Sequence, residues 1–173
     1  MSKGRIFREA LKRGMVTAPG CFDCITGRAI ERAGFEAAYM TGAGTAASLG
    51  YPDYGLVTMS EMADNAGRIA TAISLPVIAD ADTGYGNELN AIRTVREYEK
   101  RGVAGIHIED QGFPKKCGHL EDKTIAPLED YVAAVRGLGI TLQKPGSPFD
   151  YDDSGDGVAH AYDFVNAMHD QYT

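Results

Sequence analysis

Apolar and polar positions follow one repeating order along the first 137 residues: a short apolar run, a turn, then a stretch with apolar residues three and four apart. Apolar runs bounded by turn residues read as strands, and a 3.6-residue period reads as helix. "MVTAPG" (15–20), "FEAAYMTG" (35–42), "LPVIADAD" (75–82) and "VAGIHIED" (103–110) are predicted strands. Helices are predicted over about 23–33, 60–74, 88–102 and 127–138. In the second of these Met62, Ala66, Ile69 and Ile73 form one stripe, with Ser60 as N-cap. The third ends at Gly102, where a left-handed C-cap is wanted, and the fourth opens with Pro127 in its first turn. The N-terminal "MSKGRIFREALKRG" reads as an amphipathic helix with Ile6, Phe7, Ala10 and Leu11 on one face. The second strand is predicted to lead into a long Gly-rich loop.

A faint internal echo supports the repeat: "ERAGFEAAYMTG" and "EKRGVAGIHIED" both run from a helix end through Gly into an apolar strand. Strands separated by helices imply βαβ units and a parallel sheet. Four such units in about 137 residues fit half of a (β/α)8 barrel, whose typical length is about 250 residues. A doubly wound sheet fits the length equally. The rhythm breaks after residue 137, so the expected division is a β/α portion (1–137) and an acidic linker with a C-terminal helix (138–173). That helix places Val158, Ala161, Tyr162, Val165, Met168 and Tyr172 at helical spacing. "DYDDSGDG" has a faint look of a calcium loop, but the twelfth position counted from Asp150 is Ala161, where a bidentate Glu is needed.

A formal charge of -7 argues against a nucleic-acid partner. No segment is long and apolar enough for a membrane span, and the N-terminus lacks a signal-peptide core, so a cytoplasmic location is expected. Three cysteines do not suggest a disulfide framework. Cys21 and Cys24 form a C-x-x-C pair, read here as small side chains packed at a helix start rather than a redox motif.

In a parallel βα architecture, ligands bind at the carboxyl ends of the strands. After the second strand, Thr41, Gly42, Ala43 and Gly44 offer backbone N–H groups to a carboxylate or phosphate, or form a plain turn. Asp53 sits in a loop from which its charge faces inward or into water. After the third strand, Asp80 and Asp82 alternate with alanines and point to one side, where paired carboxylates want a cation. Oxygen-only ligands suit Mg²⁺; the bland reading is an Asp- and Gly-rich turn. After the fourth strand, Glu109 and His107 share a side, with His107 read as an internally satisfied residue rather than a ligand. In "PKKCGH", Cys117 has two lysines before it and His119 after it, a setting that favours acid–base or nucleophilic work. The alternative is an exposed charged loop with an incidental cysteine.

"GRAIERAGFEAAYMTGAG", "GYPDYGLVTMSEM", "PVIADADTGYGN" and "GIHIEDQGFPKKCGH" together resemble the isocitrate lyase and phosphoenolpyruvate mutase superfamily over about residues 5–136. Within it the K-[KR]-C-G-H pattern looks nearest to carboxylate lyases of the methylisocitrate and dimethylmalate type. The resemblance implies the TIM-barrel fold, here its first half followed by an atypical helical tail, since the family's later strands are not recognisable after Val135. It implies cleavage of a C–C bond in a 2-hydroxy di- or tricarboxylate, dependent on Mg²⁺ with Mn²⁺ as the alternative ion. It makes Asp80 and Asp82 metal-site residues and lets Glu109 support the metal through water. Tyr39, Thr41, Gly42, Ala43, Asp53 and Gly118 would bind the substrate. Cys117 would protonate the carbanion, with Lys116 and His119 beside it as catalytic residues. Oxaloacetate decarboxylation, phosphonopyruvate-type chemistry and a truncated paralogue without turnover are the competing readings. The implied partners are a small carboxylate and further copies of the chain, as a tetramer exchanging helices.

Overall fold

The computed structural model describes residues 2–118, 120–122, 124–128, 131 and 132. Its elements run α1 (Lys3–Arg13), β1 (Gly20–Cys21), α2 (Cys24–Arg32), β2 (Ala38–Met40), α3 (Gly42–Ser48), α4 (Met59–Ala72), β3 (Val77–Asp80), α5 (Glu88–Lys100) and β4 (Gly105–His107). The four strands form one parallel sheet in the order β1-β2-β3-β4. A doubly wound sheet reverses its strand order at a switch point, whereas a barrel adds each strand beside the last. The described strands follow the barrel rule.

Register puts Gly20, Tyr39, Ile78 and Gly105 in one row, and Asp80 opposite His107 two rows above. Side chains alternate across a strand, so these residues share the concave face. The convex face carries Cys21, Ala38, Met40, Val77, Ala79 and Ile106 into the core, against Met62, Ala66 and Ile69 of α4 and Tyr98 of α5. All four residues of β3 are buried, the continuous apolar signature of a strand covered on both faces. Gly27 allows α2 to lie against α4, since a Cβ there would stand 3.3 Å from Ile69. Below, α1 is tied to the end of α4 by the Lys3 ammonium, which donates to the Ala70 and Ile73 carbonyls.

Several expectations are corrected. The predicted first strand contracts to its end and shifts to Gly20–Cys21, which among the described residues pairs with β2 alone. The stretch after β2 is a helix, not a long loop: Thr41 caps α3 by accepting from the Gly44 N–H. Of the apolar face expected on α1 only Ala10 is buried, while Ile6 and Leu11 stay exposed. Gly102 does adopt the left-handed conformation, at φ +77°. Cys21 is buried and its thiol is pushed up to about 11 by burial and then by Asp23. Both it and Cys24 are free, as the packing reading expects. Only the start of the 127–138 helix is described, with the Tyr131 N–H donating to the Pro127 carbonyl. The 138–173 segment and its helix lie outside the described residues. Among the described residues no helix is long and apolar enough to cross a membrane.

The N-cap of α4 is Thr58 rather than Ser60. Its hydroxyl accepts from the Glu61 N–H at 3.4 Å, while the Glu61 carboxylate accepts from the Thr58 N–H at 2.8 Å. This capping box satisfies two orphan donors at once. Thr58→Ala is expected to cost about 1 kcal/mol in urea unfolding, and Ser60→Ala less than about 0.5 kcal/mol.

Candidate active site

Asp80 ends β3 with its carboxylate nearly buried, and two backbone N–H groups hold it: Gly42 on Oδ2 at 3.1 Å and Asp82 on Oδ1 at 2.8 Å. Gly42 opens α3, and a Cβ at that position would stand 2.5 Å from Oδ2, so only glycine lets the helix start meet the carboxylate. Two of the N–H groups expected to face a ligand are therefore spent inside the protein, Gly42 on Asp80 and Gly44 on Thr41. Asp82 lies just past the strand at φ +46°, a left-handed backbone that a short polar side chain tolerates.

The Asp82 carboxylate meets the ammonium of Lys115 at 2.5 Å, and Asp53 meets the same ammonium at 2.9 Å. Lys115 is 2 % exposed, a cation sealed among carboxylates. Burial alone would lower its pKa; Asp82, then Asp80 and Asp53, outweigh that and hold it above the ordinary lysine value. Burial raises Asp82, and Lys115 only partly offsets it. Glu109 is pushed up to about 7, first by burial and then by Asp80, Asp82 and Asp53, against the opposing pull of Lys115. Among the described residues four carboxylates thus gather about one buried ammonium that pairs directly with two of them, and Glu109, outside that pairing, is pushed toward its neutral form.

The concave wall is lined by a hydrogen-bonded pair, the Tyr39 hydroxyl lying 3.1 Å from His107 Nδ1. Burial holds the His107 imidazole below its ordinary pKa. It also raises the Tyr39 phenol, with the Asp80 charge adding to the effect. His107 is partnered inside, as its position suggested. Behind the carboxylates, the fully buried Tyr98 of α5 donates its hydroxyl to the Asp80 carbonyl at 3.0 Å, and Tyr85 lies 3.2 Å from it. Thr94 donates to the Gly84 carbonyl at 3.0 Å. One helix therefore fixes both ends of the loop that carries Asp82.

The loop after β4 descends onto this cluster. The Cys117 N–H donates to the Asp53 carbonyl at 3.1 Å. Cys117 is a half-buried free thiol, and Gly118 lies in an exposed turn. The Lys116 ammonium leaves in the other direction, to the Asp122 carbonyl at 3.2 Å. His119 lies outside the described residues. Thus Thr41, Gly42, Asp53, Asp80, Asp82, Glu109 and the Cys117 backbone are gathered at one end of the sheet. Ala43 sits beside them in the first turn of α3. Lys115, Gln111 and Tyr98 were not anticipated. No local signal sets Lys115 apart from Lys116, a neighbour of the same type in the same loop. A cleft of about 440 Å³ opens beside Asp82 and Lys115, walled by Leu56, Tyr85, Arg93 and Phe113.

Among the described residues no three His, Cys, Asp or Glu side chains converge tightly enough to enclose an ion by themselves. Mg²⁺ asks less, commonly one or two carboxylates completed by water. The donor set here is oxygen-only and rich in negative charge, which helps push Glu109 upward, so its chemistry fits a hard divalent cation.

Two consequences can be measured. Lys115→Met leaves Asp53 and Asp82 buried without their cation and is expected to cost about 3–5 kcal/mol in urea unfolding; Lys116→Met should cost less than about 0.5 kcal/mol. In chelator, the folded chain keeps the Glu109 proton up to about pH 7, while the unfolded chain releases it near 4.5. The folded state then binds more protons within that window, so this group makes stability fall as pH rises through it. Melting curves of Glu109→Gln should lack that component of the slope.

The family described as phosphoenolpyruvate phosphomutase matches residues 7–149. The chain is 50% identical over 147 residues to 2,3-dimethylmalate lyase of Eubacterium barkeri, covering 84% of this chain and 51% of that protein. Among solved structures, oxaloacetate acetylhydrolase in complex with 3,3-difluorooxalacetate superimposes with a TM-score of 0.76 at 40% identity, over 80% of this chain and 48% of that one. Phosphonopyruvate hydrolase in complex with oxalate and Mg²⁺ gives a TM-score of 0.72 at 30% identity, over 80% and 47%. The chain spans about half the length of the relatives it matches. With the consecutive parallel strands and the carboxylate cluster at their carboxyl ends, these matches establish that the chain belongs to the phosphoenolpyruvate mutase/isocitrate lyase superfamily of TIM-barrel enzymes.

Proposed function

We propose that this chain carries the catalytic carboxylate end of a Mg²⁺-dependent lyase that splits a 2-hydroxy di- or tricarboxylate into a 2-oxo acid and a second carboxylate. The observation that carries the reading is the buried Lys115 ammonium between Asp53 and Asp82, with Asp80 and Glu109 beside it and the Cys117 loop docked on Asp53. The similarity to a dimethylmalate lyase supports the lyase class. The Mg²⁺ in the related hydrolase complex supports the choice of ion.

In this reading Asp80 and Asp82 would hold the ion, with Glu109 reaching it through water. The ion supplies positive charge to the oxygens of the 2-oxo acid portion. Thr41, Gly42, Ala43 and Tyr39 face that portion from the β2 side, and Gly118 closes over it. A basic group takes the hydroxyl proton, the C–O bond becomes a carbonyl, and the C–C electron pair leaves on the carbon next to the second carboxylate. The Cys117 thiol donates its proton to that carbon, with His119 favouring the thiolate left behind; the Lys116 ammonium, held outward on Asp122, would first have to turn to join it. Lys115 keeps a fixed positive charge where negative charge grows, at no cost in reorganisation.

A second reading, hydrolysis or decarboxylation of oxaloacetate or cleavage of phosphonopyruvate, is supported by the similarity to the two hydrolases. A third reading is an oxo-acid binder without turnover. The lyase reading also carries a homotetramer with exchanged helices, acting on small carboxylates in the cytoplasm. Light scattering on protein of verified mass tests the tetramer. Incubation with 2-hydroxy acids, oxaloacetate and phosphonopyruvate, each with Mg²⁺, should yield new products only from the hydroxy acids; pyruvate or oxalate from oxaloacetate, or phosphate from phosphonopyruvate, would select the second reading. Cys117→Ser should lower cleavage by at least about 100-fold while calorimetric Mg²⁺ binding stays unchanged.

A further inference from the structure

Gln111 stands two residues beyond Glu109 and spends its whole amide on the catalytic loop. Its Nε2 donates to Glu109 Oε2 at 2.6 Å and to the Lys116 carbonyl at 2.9 Å. Its Oε1 accepts from the Lys116 N–H at 3.0 Å. The side chain therefore pairs with both backbone groups of one residue, as a neighbouring strand would, and with a carboxylate of the cluster. It is itself anchored from behind. Gln111 bridges to Ile125 in antiparallel fashion, the Gly112 N–H donates to the Thr124 carbonyl at 2.6 Å, and the Ala126 N–H donates to the Asp110 carbonyl at 2.8 Å.

The residue it grips lies between the two that matter most. Lys115 turns inward to Asp53 and Asp82, Lys116 reaches outward to Asp122, and the Cys117 N–H docks on Asp53. A slip of one residue in this loop would exchange the buried lysine for the exposed one and turn the thiol away. A group holding both the N–H and the C=O of Lys116 opposes that slip in either direction, beside the Lys115 ion pairs and the Cys117 N–H bond to Asp53.

We infer that Gln111 is a positioning residue, a register clamp that ties the placement of the Cys117 proton donor to the Glu109 carboxylate. The inference rests on the lyase reading for the role of Cys117, but the clamp itself is measurable without turnover. Two variants separate its parts. Gln111→Ala removes all three bonds. Gln111→Glu keeps the shape and the acceptor for Lys116 while losing both donors and adding a charge beside Glu109, so it decides the question if the alanine variant fails to fold.

The full chain is treated with iodoacetamide, and modification of Cys117 and Cys24 is followed by peptide mass spectrometry. Amide exchange at Lys116 and melting are measured alongside. The expected result is a severalfold rise in the Cys117 rate relative to Cys24 in both variants, with faster Lys116 exchange in Gln111→Ala. On whichever hydroxy acid the parent cleaves, kcat should fall about 100-fold, the scale of a small misplacement of a reacting group, with KM changed little. Unchanged Cys117 modification in the isosteric Glu variant overturns the clamp. A fall in kcat matched by a rise in KM overturns it as well, since the group would then bind substrate instead. If the parent cleaves nothing while the Cys117 rate responds, the clamp stands and the lyase reading falls.

Discussion

One buried ammonium organises this end of the molecule. Lys115 lies within ion-pair distance of Asp53 and Asp82, and with Asp80 and Glu109 the cluster holds four carboxylates around it. A lone charge cannot be taken out of water at tolerable cost, and a pair is retained only where geometry and further hydrogen bonds repay the desolvation. The surroundings meet that requirement from several elements: the opening turn of α3 holds Asp80, the left-handed turn after β3 aims Asp82, and the loop before α4 brings Asp53. The loop after β4 delivers the lysine. Bringing these segments together is the same act as building the site.

The remaining imbalance is what gives the cluster its chemistry. One cation against four carboxylates leaves Glu109 favouring its proton, and such a group is poised either to accept a further cation or to exchange a proton near neutral pH. A purely structural ion pair would be expected to close on itself. This one is left open on the side of the cleft.

Much of the fold was legible because its causes are local. The β3 run "LPVIA" is apolar up to the carboxylate that ends it, as a doubly covered strand must be, and Gly102 ends its helix where left-handed backbone is needed. The Asp80–Asp82 pair and Cys117 stood out because charge and thiol rarely sit at strand ends without reason. What was missed depends on distance in sequence. Gly42 and Gly44 look like loop residues, yet Gly42 is required because Asp80, thirty-eight positions later, occupies the space of its missing side chain. Thr58 and Ser60 are equally good caps by composition; only the reach of Glu61 back to Thr58 separates them. Lys115 and Lys116 are neighbours of identical type, so their opposite fates follow from the backbone that Gln111 holds.

The outer helix α5 shows what such remote support means for the way the sequence can vary. Thr94 and Tyr98 sit about one turn apart on its inner side and grip the two ends of the Asp82 loop, while Arg93, Arg96, Glu99 and Lys100 on the same helix are exposed. A library randomising Arg96, Glu99 and Lys100, which lie away from the cleft that Arg93 borders, would leave the carboxylate end of the sheet undisturbed. The same library extended to the two inward hydroxyls, of which Tyr98 lies behind the carboxylates and outside the cleft lining, would read as a screen of the carboxylate cluster itself.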